Sequence, residues 1–394
     1  RPAASRGQGS RLCSVGSSHE PAGVLPASAN GARTRSLSVA RVCERRFEFR
    51  CLTHGFAPQP RRGAVKTDIY ALHMTGADLF ENCADDGFIE TLVEICRETA
   101  SIVFEGVGIV QLDEADSDAS PALQEKALFE NAYDAPDDET LHPPFWMALI
   151  GSTYLPEAGH LCLSLAAQLR ARTFVVGVQS DVRAVAERVA RLDWIFDPAC
   201  ATHQRFARAG LEMTVCQQFY RQTIEQLKAP KVDQKKARAR HVELRESLTR
   251  YFTHVVKPLL DPDDPESHTP DATAWLVDGE AYLTYSTIVA RLAELLGKSA
   301  NGTYGAYSGL THPNVQFAQE HRRFTEDGSV AFFYPCEDLE KSVRAACFMT
   351  LHAMRLLVSY NGGDLATLQA RIDKLSDWLD TISVLAVPID AEQT

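Results

Sequence analysis

The chain has 394 residues, of which 45% are hydrophobic and 23% are charged, a composition that suits a protein with a buried core. Residues 1–65 contain eleven Arg and three Glu, which leaves 29 basic and 49 acidic residues in 66–394. A body this acidic repels nucleic-acid backbones and anionic membranes, so we do not expect either to bind across its whole surface.

Hydropathy and cysteine usage exclude further classes of protein. No apolar stretch approaches the roughly 18 residues that a membrane-spanning helix needs. None of the ten cysteines forms a Cys-x-x-Cys pair, which favours reduced thiols in a soluble cytoplasmic protein over a disulfide scaffold. No zinc, Walker A or EF-hand spacing occurs, so we predict no metal and no cofactor.

The first 65 residues are rich in Arg, Ser and Ala and show no sustained periodicity. Three interpretations stay open: a transit peptide, a basic arm for nucleic acid, and a disordered tail or coding sequence upstream of the true start. We favour the last, and we expect one helical domain over 66–394.

Helical periodicity begins after this arm. Apolar spacing predicts a helix over 85–110, and a short helix over 123–129 lies within an acidic, irregular stretch. Residues 145–154 and 159–178 are apolar almost all round, so we expect them to be central and buried. A cleaner amphipathic helix follows over 181–196 and ends at Asp197-Pro198.

The second half of the chain continues the helical pattern. Residues 199–227 and 232–256 predict a long antiparallel helix pair, and further helices are predicted over 279–296, after Pro335 and over 364–381. Two extended runs within 316–334 flank Glu326-Asp327-Gly328 and predict a β-hairpin. The predicted fold is therefore all-α, a multi-helix bundle with one small β-hairpin insert.

A basic segment over 228–250 is the one local concentration of positive charge in the acidic body. Its members include Lys235, Lys236, Arg238 and Arg240. They form either a phosphate-contacting face or an ordinary solvated helix surface. We favour the solvated surface, because no aromatic residue interleaves the charges before Tyr251.

Charged residues also recur at helical spacing on the preceding amphipathic helix. Arg183, Glu187 and Arg191 stand at i, i+4 and i+8. They form either a buried polar network or ordinary i, i+4 surface pairs, and we expect surface pairs.

The segment 303–314 gathers hydroxyl and imidazole groups. Tyr304, Tyr307 and Ser308 recur at helical spacing, and Pro313 biases His312 away from helical angles, so His312 is expected at a helix C-terminus. The hydroxyls and the imidazole could form a small acid–base site. They would equally form a buried hydrogen-bonded lock against Glu187 or a neighbouring Arg, which is the commoner role for such groups.

Two stretches carry a family resemblance. Tyr307-Ser308-x-x-x-His312-Pro313 resembles the Tyr-x-x-Leu-Ser-x-x-x-His motif of uncharacterised actinobacterial helical proteins, which in turn resemble the HEPN-like superfamily. The charged helix from Arg183 through Glu187 to Asp197-Pro198, followed by Arg205 and Arg208, is similar to the central helices of those proteins. The resemblance spans about residues 140–360.

The resemblance implies a helical fold and a role for the polar residues. HEPN ribonucleases carry Arg-x(4–6)-His, and His312 would be that histidine, but positions 305–307 hold Gly, Ala and Tyr instead of Arg. The implied function is therefore a non-enzymatic HEPN-like binding protein, with a ligand or polar cluster that includes Arg183, Glu187, Arg205 and Tyr304.

Two alternatives stay open beside this function. One is a degenerate, metal-independent ribonuclease in which His312, Tyr307 and Ser308 are catalytic and the basic segment holds RNA. The other is a scaffold that forms homodimers through the apolar helices of 145–178.

Overall fold

The helical architecture is seen in a computed structural model. The structure describes residues 86–112, 120–133, 138–260, 264, 268–295, 322–324, 330–332, 335–363 and 365–381. All of them belong to one compact unit, and the arm over 1–65 lies outside the described residues.

Nine α-helices are present in the described part of the chain. They are α1 Asp86–Leu112, α2 Pro121–Ala132, α3 Pro143–Arg170, α4 Phe174–Ile195, α5 Thr202–Gln226, α6 Lys231–Tyr251, α7 Tyr285–Leu295, α8 Cys336–Tyr360 and α9 Ala366–Thr381. The predicted all-α fold is confirmed. No helix in these described ranges is both long and apolar enough to cross a membrane.

Helix α3 occupies the centre of the bundle. It packs against α1, α4, α5 and α8, and it buries an apolar surface that includes Trp146, Leu155, Cys162 and Leu165. Its start is set locally: His142 accepts a hydrogen bond from Phe145 N at 3.2 Å, and a proline occupies the first turn. The apolar surface predicted over 145–178 is thus used largely inside the chain, and the homodimer stays a prediction.

Two predicted boundaries around α3 and α4 were wrong. Residues 143–170 form one helix that continues through Pro156, and α4 begins at Phe174 rather than near 181. The break between the two helices lies at Arg172, which adopts a φ of 52°. Burial on several sides keeps α3 continuous where a proline would otherwise favour a break.

Helices α5 and α6 form the predicted pair joined near Pro230, and α5 also packs on α3. A glycine allows this close packing: a Cβ on Gly210 would lie 2.5 Å from Leu248 Cδ2 and 2.9 Å from Trp146 Cζ3.

The β structure is more extensive than predicted. Strands β4 (Arg322–Phe324) and β5 (Val330–Phe332) pair antiparallel and confirm the predicted hairpin. A second sheet, not predicted, has the antiparallel order β1 (Val255–Val256), β2 (Leu276–Val277), β3 (Glu280–Ala281). Its β2–β3 turn is Asp278-Gly279, with φ values of 47° and 85°, a turn that Asp-Gly strongly favours.

Candidate ligand site

The predicted catalytic residues cannot be placed. His312, Tyr307, Ser308 and the neighbouring Tyr304 lie outside the described residues. The acid–base site, the hydrogen-bonded lock and the ribonuclease alternative that depends on His312 therefore stay predictions.

The charged residues of α4 at i, i+4 and i+8 lie in two different environments. Arg183 Nε donates to Glu187 Oε1 at 2.8 Å, and both side chains are about one-fifth exposed, so this pair behaves as expected for i, i+4 neighbours. Arg191 is different, because it is fully buried. The surface interpretation is wrong for Arg191, which lies where α4 is covered by α5 and α7.

Arg205 joins three helices. Its guanidinium bonds the carboxylate of Glu125 on α2 and the carbonyl oxygen of Cys200. Tyr360 on α8 donates to the other Glu125 oxygen at 2.6 Å. Arg205 is therefore part of a structural junction at this end of the bundle.

The predicted basic residues of α6 are exposed or paired. Lys235 and Lys236 are exposed. Arg238 lies 2.7 Å from Glu225 Oε1, and Arg240 lies 3.1 Å from Asp138 Oδ2. This half of α6 is a solvated, partly neutralised surface.

A buried polar cluster surrounds Arg191, and we call it the Arg191 cage. Its members come from α3, α4, α5, the end of the small sheet and α7. They are Tyr154, Arg191, Trp194, Glu212, Cys216, Tyr282 and Tyr285.

Aromatic rings surround the guanidinium. Its Cζ lies 4.3 Å from the ring centroid of Tyr282, 5.0 Å from that of Tyr285 and 5.1 Å from that of Trp194. These distances are in the range of cation–π contacts. Trp194 is buried, whereas Tyr285 is 38% exposed and forms the solvent-facing wall of the cage.

Glu212 supplies the counter-charge. Its Oε2 lies 3.0 Å from Arg191 Nε, and both side chains are almost completely buried. The other oxygen accepts hydrogen bonds from Tyr154 at 2.6 Å and from Cys216 at 3.3 Å. Two donors therefore hold the carboxylate in place beside the guanidinium.

Apart from its ion pair with Glu212, the guanidinium of Arg191 has few hydrogen-bond partners. None of its three side-chain nitrogens makes a hydrogen bond of good geometry with any residue that the structure describes, and Glu212 Oε2 also lacks one. A guanidinium has five N–H donors, and buried donors without partners are rare and costly. The cage thus offers a row of donors inside an aromatic shell.

The pKa values of the three tyrosines and of Arg191 in the cage are raised. Burial raises the pKa of Tyr154 and of Tyr282, and the Glu212 carboxylate raises both further. Burial and then Glu212 raise the pKa of Tyr285 to about 12. Burial alone would lower the pKa of Arg191, but Glu212 and the tyrosines outweigh it, so the net pKa is raised.

Cys216 does not behave as an activated nucleophile. The residue is exposed, yet its sulfur points inward, 3.4 Å from Tyr154 Oη. Burial of the sulfur and the neighbouring Glu212 carboxylate raise the pKa of the thiol. Because the thiolate is the nucleophilic form, the neutral thiol acts here as a hydrogen-bond donor.

Two polar networks adjoin the cage along α4. Arg208 donates to Glu280 Oε2 at 2.6 Å and to Trp194 O at 2.7 Å. Asp193 Oδ1 lies 2.9 Å from His352 Nε2 and ties α4 to α8. These contacts fix the helix that carries Arg191.

Sequence reasoning missed the partners of Arg191, although one signal was available. Glu212 lies between Leu211 and Met213 in the apolar stretch 209–215. A carboxylate in such a stretch requires a buried cation, because an unpaired buried charge is too costly.

Comparisons with known proteins found no match for this chain among family models, curated proteins or solved structures. Among the described residues, no group of His, Cys, Asp and Glu is placed to hold a metal ion.

Proposed function

We propose that this chain is a non-enzymatic helical binding protein that holds a small, uncharged, acceptor-rich molecule against Arg191. The observation that carries the proposal is the buried guanidinium of Arg191: its Nε pairs with Glu212, and none of its three side-chain nitrogens makes a hydrogen bond of good geometry within the described residues. Donors in a buried, aromatic-lined site give orientation and specificity to a ligand.

The charge of the cage favours an uncharged ligand. Arg191 and Glu212 neutralise one another at 3.0 Å, so a ligand with net charge would be buried without a counter-ion. Tyr282 and Tyr285 contact the guanidinium, which leaves its N–H groups for carbonyl, amide or heterocyclic acceptors. Such acceptors occur in amides, lactams and nucleobases.

The protonation states favour binding over acid–base chemistry. Efficient general acids and bases have pKa values near neutrality. The pKa values of the two inner tyrosines and of Cys216 are raised, which moves them further from neutrality. The cage therefore supplies fixed donors and fixed charge. Its kinship with HEPN-like proteins stays a prediction.

We also propose a cytoplasmic location for the protein. The six cysteines of the described part are all free. Cys96 and Cys347 support this placement most directly, since their sulfurs lie only 4.0 Å apart in the core without a bond.

Saturation-transfer NMR on the full chain tests the ligand proposal, with amides, lactams and nucleobases as probes. We expect at least one probe class to saturate on wild type. Binding should be lost in the double variant R191M/E212Q, which removes the donors but keeps an acceptor for Tyr154. Circular dichroism checks that the variant is folded.

A second variant tests the entry route. Tyr285→Ala removes the exposed wall and leaves the buried ion pair intact, so it should change probe affinity without loss of fold. Equal probe binding by wild type and R191M/E212Q would overturn the proposal. The proposal would also be overturned by two results together. These are that no probe shows saturable binding, and that crystals of the protein show ordered water molecules bonded to all three Arg191 nitrogens.

A further inference from the structure

A groove of about 530 Å³ lies on the surface beside the C-terminal half of α6. It is lined by Val242, Arg245, Glu246, Thr249, Arg250 and Lys257. The α6 members recur at three- and four-residue spacing and therefore share one face of the helix. None of the lining residues belongs to the Arg191 cage.

The cations of this groove lack carboxylate partners. Within the described part of the chain, no carboxylate lies within ion-pair distance of Arg245, Arg250 or Lys257, in contrast to Arg238 and Arg240 earlier on the same helix. Three cations thus face one carboxylate, Glu246, across the groove.

A buried tryptophan holds two of these cations together. Arg245 Cζ lies 4.7 Å and Lys257 Nζ lies 4.8 Å from the ring of Trp275, which is fully buried. Trp275 Nε1 donates to Thr269 O at 3.1 Å, which fixes the ring. Burial and then Arg245 lower the pKa of Lys257, so the two positive groups destabilise one another.

Buried nitrogens without hydrogen-bond partners lie beneath the groove. His241, one turn before Arg245, is only 4% exposed, and its Nε2 makes no hydrogen bond to a described residue. The buried Nε atoms of Arg221 and Arg245 also make no hydrogen bond within the described ranges, although Arg221 Nη1 lies 3.6 Å from Glu225 Oε1. Unbonded nitrogens among repelling cations form an arrangement that an anion would stabilise.

We infer that this groove is an anion site that binds the phosphate group of a small molecule between Arg245, Arg250 and Lys257. Three cations and one carboxylate give the groove a net charge of about +2. A phosphate monoester carries roughly 1.5 to 2 negative charges at neutral pH, so it balances this charge better than a ligand with a single carboxylate. The site is separate from the Arg191 cage and does not depend on the proposed function.

A small phosphate compound fits this groove better than a nucleic acid. The lining residues include no aromatic side chain, and the adjacent Trp275 is buried, so bases have no ring on which to stack. The body of the protein is also acidic, with 49 acidic against 29 basic residues in 66–394, and it repels a polyanion beyond the groove.

Isothermal titration of the full chain with inorganic phosphate and pyrophosphate tests this site. We expect saturable binding of pyrophosphate that weakens with added salt. The double variant R250Q/K257Q should weaken it by at least about tenfold, since charge-assisted hydrogen bonds are lost. The control K235Q/K236Q removes the same charge from exposed positions of the same helix and should change affinity by less than about twofold.

Three outcomes would overturn the inference. One is no saturable binding of either probe up to about 10 mM, a concentration that even weak sites reach. Another is equal weakening by both double variants, which would indicate only the overall field. The third is that a short single-stranded RNA binds the wild-type protein more tightly than pyrophosphate does, and that R250Q/K257Q loses this affinity for RNA. Lys257 contacts the buried Trp275, so K257Q could also affect folding. The single variant R250Q, together with the melting midpoints of all variants, therefore separates an effect on binding from an effect on folding.

Discussion

The contact between Arg191 and Glu212 shows how strongly one buried pair depends on both members. The two side chains are 0% and 1% exposed, so each charge relies on the other and on the surrounding dipoles. Removal of one partner leaves a buried charge uncompensated, whereas replacement of both partners removes that cost.

We therefore expect Arg191→Met to lower the free energy of unfolding by about 3–5 kcal/mol. The double variant R191M/E212Q should recover much of this loss, because no buried charge is left unpaired. Urea denaturation of wild type, both single variants and the double variant measures the coupling. A loss in the double variant equal to the sum of the two single-variant losses would show that the pair is not coupled.

His241 gives the protein a specific dependence on pH. Burial, then Arg221 of α5 and Arg245 of α6, lower the pKa of His241 from 6.5 to about 4. Below pH 6.5 the unfolded chain takes up a proton that the folded protein refuses, so stability is complete above 6.5 and falls as the pH approaches 4.

Between those pH values, wild type should lose about 2–3 kcal/mol more stability than His241→Gln, which has no such proton to take up. Chemical denaturation at closely spaced pH values measures the two slopes, and carboxylates that titrate in both proteins cancel in the difference. Parallel slopes would mean that His241 titrates normally in the folded state.

At the scale of elements, close approach of helices decides where glycine is required. Gly210 on α5 lies against α6 and α3, where a Cβ would meet Leu248 and Trp146 at 2.5 and 2.9 Å. Gly151 on α3 is less constrained, since its nearest neighbours would be side-chain ends of Leu357 and Phe196 at 3.3 and 3.4 Å.

Gly210→Ala should therefore lower the thermal midpoint, with a loss of about 1–3 kcal/mol from overpacking. Gly151→Ala is the matched control, and its gain in helix propensity of about 0.8–1 kcal/mol should offset most of the tighter contact. Differential scanning calorimetry compares the two, and a Gly210→Ala midpoint at or above that of Gly151→Ala would contradict this packing.

At the scale of the whole molecule, Glu125 links distant parts of the chain. It accepts hydrogen bonds from Arg205, 80 positions away, and from Tyr360, 235 positions away. Its side chain is only 4% exposed, so the junction closes the bundle through a protected charge.

Glu125→Gln keeps the shape of the side chain but removes the charge that pairs with Arg205. We expect a loss of about 2–4 kcal/mol in the free energy of unfolding, because Arg205 stays largely buried without a counter-ion. Glu130→Gln on the same helix is the control, since Glu130 is 63% exposed and should change stability by less than about 0.5 kcal/mol. Equal effects in urea denaturation would contradict the role of the junction.

The amino-acid sequence by itself determined the class of fold. Apolar spacing identified helices such as α1, where Leu92, Ile95 and Cys96 are fully buried, because the faces of a helix follow directly from its 3.6-residue period. Turn sequences were equally informative. Glu326-Asp327-Gly328 predicted one hairpin, and Asp278-Gly279 is a turn sequence of the same kind that could have predicted the second sheet.

Only the tertiary structure decided which polar residues form a site. The spacing of Arg183, Glu187 and Arg191 shows that they share a face of α4, but not that Arg191 is fully buried against α5 and α7. Tyr154, Glu212 and Tyr282 reach Arg191 from separate elements, and Lys257 and Arg245 meet over Trp275 in the same way. A helical period specifies neighbours along one element, whereas burial and charge pairing depend on which other elements pack against it.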